Sequence, residues 1–114
     1  MSRQAQPSLS LSLTTTGIIA EARFVNTSVA QAGAASNTFG VARMAAALGD
    51  VIPVDAVGTA IVESGAAFAA GALLATDASG RAVTWAAGAA VARALPGQAA
   101  TAAGQFVEVL LIPN

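Results

Sequence analysis

Glycine stands at positions 33, 40, 49, 58, 65, 71, 80, 88, 97 and 104, and between the first and last of these no stretch exceeds eight residues without one. Alanine, 31 of the 114 residues, would otherwise argue for helix. Helices interrupted this often do not repay the cost of their first turn. Between the glycines lie short β-branched or apolar segments: residues 51–54, 57–62, 82–85 and 106–112. Many short strands separated by glycine-bearing turns predict one mainly-β domain, a small barrel or sandwich.

Two local patterns sharpen this. Residues 72–76, the turn Asp77-Ala78-Ser79-Gly80 and residues 81–84 form a hairpin signature, with Asp opening the turn and Gly suited to positive φ. Near the C-terminus, Phe106, Glu108, Leu110 and Ile112 alternate with Val107, Val109 and Leu111, which predicts a central strand covered on both faces. Short helices are one reading of residues 42–48 and 86–92, the first closed by Gly49; residues 42–48 read equally as a strand followed by a loop. A faint echo links Val41-Ala42-Arg43 and the later Gly49-Asp50-Val51 to Val91-Ala92-Arg93 and Gly104-Gln105-Phe106. It reads as two related strand–loop–strand units within one barrel.

Residues 1–16 differ from the remainder. Leu9, Leu11 and Leu13 alternate with Ser8, Ser10 and Ser12, ahead of Thr14-Thr15-Thr16, and no acid occurs before Glu21. This pattern describes an extended N-terminal arm with one adhesive edge, or equally the first strand of the barrel. The expected division is an arm over 1–16 and a β-rich domain over 17–114.

The side-chain inventory narrows function. Cys, His, Lys and Tyr are absent, so thiol, imidazole and amine catalysis and Cys/His metal sites are excluded. No catalytic, cofactor-binding or metal-ligating residue is expected. Asp50 and Asp55 flank the 51–54 segment and read as solvated turn and edge carboxylates. The glycine-rich stretch 65–71 lacks the Lys-Ser/Thr ending of a phosphate loop. Arg3, Arg23, Arg43, Arg81 and Arg93 are dispersed singly, which argues against nucleic acid as a partner. Without a long apolar run there is no membrane span, and the polar N-terminus suggests synthesis in the cytoplasm. Only 10% of residues are charged, so much of the surface is small and neutral, as in a component buried against other proteins. Trp85, beside Val83 and an Ala run, is expected to be a core or subunit-interface anchor.

From about Arg23 onward the chain resembles the small capsid decoration, or cement, proteins of tailed bacteriophages. The resemblance rests on the order of Phe39-Gly40-Val41-Ala42, residues 47–54, residues 58–65, the hairpin of residues 70–83, and residues 103–110. It covers about four-fifths of the chain and omits the Ser/Leu arm. It implies a β-barrel-like domain on the outer surface of the phage head, self-associated as a trimer (a dimer being the other possibility), with the major capsid protein as partner and no catalytic residues. Leu9, Leu11 and Leu13 are then the candidate capsid-binding arm, which would add a strand to a capsid sheet edge. Two other functions fit the composition less well. One is an ice-binding-type surface, which requires a flat threonine array; the other is a tail or fibre component of the same virion.

Overall fold

A computed structural model describes residues 5–114. Eight strands follow one another: β1 (Pro7–Thr14), β2 (Arg23–Val25), β3 (Gly40–Ala42), β4 (Val51–Glu63), β5 (Leu73–Thr76), β6 (Ala82–Thr84), β7 (Ala92–Ala94) and β8 (Phe106–Leu111). They pair antiparallel in the order β2-β3-β4-β8-β7-β5-β6, with β1 on β4. The ends of this sheet approach each other. Phe24 in β2 donates its N–H to Gly80 C=O at 2.8 Å, in the β5–β6 turn. The result is a nearly closed barrel, the mainly-β class expected from the sequence.

The expected helices are absent among the described residues, which contain only strands, turns and loops. Residues 43–48 form a loop held by reciprocal backbone hydrogen bonds between Ile19 and Ala46, at 3.0 and 2.9 Å. Residues 86–91 form a loop around Gly88, whose φ is +77°, and β7 begins at Ala92. Seven residues give too few internal hydrogen bonds to offset helix nucleation. Alanine is used instead as a small interior side chain: Ala32, Ala42, Ala60, Ala82, Ala92 and Ala94 are all at most 1% exposed. All but Ala42 pack with Phe24, Val41, Val62, Leu74, Val107 and Val109, while Ala42 joins Ile19, Val25, Ile52 and Val54 in a second cluster.

The predicted hairpin forms as read. Leu74 pairs with Thr84 and Thr76 with Ala82, and Gly80 has φ +75°. Residues 51–54 and 57–62, expected as separate segments, are one 13-residue strand. Along one edge of β4, residues 51–58 pair with β1 and residues 59–63 with β8. Strand β8 is central, between β4 and β7, but its outer face is only partly covered: Phe106 and Leu110 are 44% and 45% exposed, while Glu108 between them is 4% exposed. On the inner face Val107 and Val109 lie in the core and Leu111 packs against it.

The sequence echo has a structural counterpart in two halves that share β4: Gly49-Asp50 matches Gly104-Gln105 as read, but Val41-Ala42-Arg43 matches Arg93-Ala94-Leu95, two residues beyond the expected Val91-Ala92-Arg93. In the first, Thr15 N–H bonds Asp50 C=O, Thr15 hydroxyl bonds Ala47 C=O, and Gly49 N–H bonds Thr15 C=O. In the second, Ser64 makes the same three bonds with Gln105, Ala102 and Gly104. The Ile19–Ala46 bridge is matched by Phe68–Ala100, β2–β3 by β5–β7, and β3–β4 by β7–β8. Asn26 Oδ1 accepts from the N–H groups of Ser28 and Ala30, just as Asp77 Oδ1 accepts from those of Ser79 and Arg81. Even the left-handed residues correspond: Ala22, Val29 and Ala35 (φ 59°, 62° and 51°) stand where the second half has Gly71, Gly80 and Gly88.

Candidate functional site

The serine–leucine segment is an edge strand. From Pro7 onward it pairs with β4: Ser10 lies opposite Asp55, Leu11 opposite Val54, and Leu13 opposite Ile52. Residues 1–4, including Arg3, fall outside the described residues. Beyond its ladder with β4, β1 pairs with no other strand among the described residues, so its outer backbone groups remain available to another chain. The three leucines divide. Leu13 packs on the second core cluster, Leu11 is half-buried, and Leu9 is 46% exposed opposite the equally exposed Val57. Leu9 and Leu11 line an apolar groove of about 290 Å³ with Phe39, Val57, Leu111 and Ile112.

A second apolar surface was not anticipated. The largest fractional exposures among big apolar side chains are those of Ile18, Leu48 and Val51, at 80%, 69% and 65%, with Met44 also exposed. They sit on or beside two loops tied together by the Ile19–Ala46 bonds. In the other half, Ala67 and Ala103 stand where Ile18 and Leu48 do, so the scaffold does not require large side chains there. The sequence signal available was an apolar residue beside a glycine, at Ile18 and at Leu48.

Trp85 lies just past β6 and is 41% exposed, so it is not part of the core. Its backbone N–H bonds Leu73 C=O and its indole N–H bonds Gly88 C=O at 3.1 Å, fixing the ring on the surface.

Ion pairs among the described residues fall into two sets. Arg23, Glu63, Arg81 and Asp77 clamp the barrel seam: Arg23 bonds Ser79 C=O at 2.9 Å and approaches Glu63 at 3.4 Å, and Arg81 lies between Glu63 and Asp77. The other set is Arg43 and Asp55. Asp55 was read as a solvated carboxylate but is 2% exposed. It accepts from Arg43 at 2.6 Å and from Ser10 Oγ at 3.1 Å. Asp50 matches the expectation, as an exposed carboxylate accepting from Ala47 N–H. No group of His, Cys, Asp and Glu able to hold a metal ion occurs among the described residues. No helix among them is long and apolar enough to cross a membrane. Thr15, in the middle of the threonine run, is 2% exposed with its hydroxyl bonded to Ala47, so these threonines do not form a flat array.

Comparison with known proteins bears on this surface. Searching curated protein sequences gives no match. Among solved structures, the barrel is similar to the head fiber gp8.5 N base of bacteriophage phi29, with a TM-score of 0.73 at 18% identity, over 91% of this chain and 93% of that one. At that identity the likeness establishes a shared fold. The sequence model for phage cement protein matches residues 3–111, nearly the whole length. The resemblance seen in the sequence is thereby established, and the chain belongs to the phage cement protein family.

Proposed function

We propose that this protein decorates the outer surface of a phage head, bridges neighbouring major capsid protein subunits and so stabilises the shell. The single observation that carries the reading, beyond family membership, is β1: an edge strand with an unpaired side next to the exposed Leu9–Val57 pair. Backbone pairing along such an edge tolerates sequence differences among quasi-equivalent capsid sites. Several copies held together, as a homotrimer, present several such edges at once, and weak contacts then sum to high avidity. Because it binds only the assembled shell, the protein stabilises that state by mass action. Trp85 is the proposed self-association anchor, and the Ile18–Leu48–Val51 surface a further contact.

The test is co-sedimentation with expanded empty shells of the phage, comparing wild type with Leu9→Lys and Val57→Lys. Both variants place charge on an exposed site and leave the core intact. Loss of shell binding with an unchanged circular dichroism spectrum supports the edge model; undiminished binding by both discards it. The fold shared with a head fiber base favours a second reading, a fibre platform rather than a clamp. Electron microscopy of particles carrying a labelled copy separates the two by showing whether further density extends from the label.

A further inference from the structure

A cleft of about 760 Å³ is lined by the apolar Pro7, Ile61 and Phe106 and by the charged Glu21, Arg43 and Asp55. Arg43 and Asp55 neutralise each other. Glu21 is exposed and has no hydrogen bond or ion pair among the described residues. Among the described residues the cleft therefore carries one negative charge without a counter-ion, alongside apolar side chains.

The twofold repetition shows that the barrel does not need these charges. Where the first half has Glu21, Arg43 and Asp55, the second has Ala70, Leu95 and Leu110 on the same backbone positions. The backbone that carries Glu21 is also held firmly. Ala22 is left-handed at φ 59°, its N–H bonded to Ala42 C=O and its C=O accepting from Glu63 N–H. Strain held in this way by surrounding bonds is typical of sites with a task.

We propose that this cleft receives a basic side chain, arginine or lysine, presented by the capsid shell. A methylene stem lies along Pro7 and Ile61, and the cationic head meets Glu21. The cleft opens beside the start of β1, so it adjoins the edge argued above to meet the capsid. The choice of the shell as source rests on the decoration reading; the chemistry of the cleft does not.

Two measurements keep these apart. The first titrates N-acetyl-argininamide into isotopically labelled protein, with N-acetyl-leucinamide as control, and follows backbone amide shifts. Saturable shifts at Glu21, Ala22 and Ile61 are expected with the arginine compound only and should vanish in Glu21→Gln; equal responses to both compounds, or none, overturn the cleft. The second compares shell binding at about 50 and about 300 mM salt. Glu21→Lys should weaken binding at low salt by tenfold or more, whereas Ala70→Lys, at the matching place in the other half, should not. If Glu21→Lys binds shells like wild type, the shell is not the source. If the wild type itself does not bind shells, the decoration reading fails and the shell is again not the source, while the titration still decides the cleft.

Discussion

Val29 and Gly80 occupy the same position in the two halves of the barrel, both left-handed, at φ 62° and 75°, and both donating an N–H to the residue three before, Asn26 or Asp77. Left-handed backbone costs a non-glycine residue roughly 1–2 kcal/mol, and a β-branched one more than most. Val29→Gly relieves this while losing side-chain contact and adding unfolded-state freedom, so its stability should stay within about 1 kcal/mol of wild type. Gly80→Val meets the same strain with no space. A Cβ there lies 3.0 Å from Gln31 Cγ and 3.2 Å from two backbone oxygens, so a loss of about 2–4 kcal/mol is expected. Urea unfolding of both variants checks the asymmetry.

Ala35 and Gly88 form a second matched pair, and these two touch. A methyl on Gly88 would sit 2.7 Å from Ala35 Cβ and from Ala35 C=O. Gly88→Ala should therefore destabilise by about 2–3 kcal/mol. Adding Ala35→Gly should recover part of that loss, because one of the two clashes disappears. A double-mutant cycle should give a coupling of about 1 kcal/mol; additivity would mean the loops shift apart.

Arg43 and Arg93 provide an internal comparison of ion pairing. Arg43 faces a carboxylate that is 2% exposed, whereas the Arg93 side chain, among the described residues, bonds the Gly71 carbonyl on an exposed surface and no carboxylate. Arg43→Ala leaves Asp55 buried with Ser10 as its remaining side-chain partner, and should cost about 1–3 kcal/mol, since half of the arginine is itself in water. Arg93→Ala should cost under about 0.5 kcal/mol. Thermal melts at low ionic strength distinguish them.

Trp85 is the sole tryptophan, so its emission reports a single place. If it anchors self-association, raising the concentration should shift the emission to shorter wavelength as the oligomer forms. Trp85→Ala should keep the fold but lower the mass found by light scattering. An emission independent of concentration in an oligomeric sample would put the subunit contact elsewhere.

Much of the fold was legible because its signals are local. Asp77 and Gly80 specify their turn, and alternation from Phe106 to Leu111 specifies a strand. The echo between Gly49-Asp50-Val51 and Gly104-Gln105-Phe106 marked the two halves, although its Val41–Arg43 part was read two residues out of register. Long-range consequences were not legible. Nothing about Ala22, Val29 or Ala35 announces left-handed backbone, since only comparison with Gly71, Gly80 and Gly88 exposes it. Asp55 looked solvated because its partners, Ser10 and Arg43, lie on other strands. The helices expected near Ala45 and Ala87 followed alanine's intrinsic preference, which the ladder and the Ile19–Ala46 bridge override. The candidate surface was read only in its β1 part, because exposure of Ile18 and Leu48 depends on which loops end up paired.

Strand β4 serves as the last strand of one half and the first of the other. Neither half can melt while its twin survives, because each would remove the template against which the other is assembled. Heating should thus produce one cooperative transition with equal calorimetric and van't Hoff enthalpies. Refolding must wait for distant segments to meet on Val51–Glu63, which makes it slow for a chain of this size.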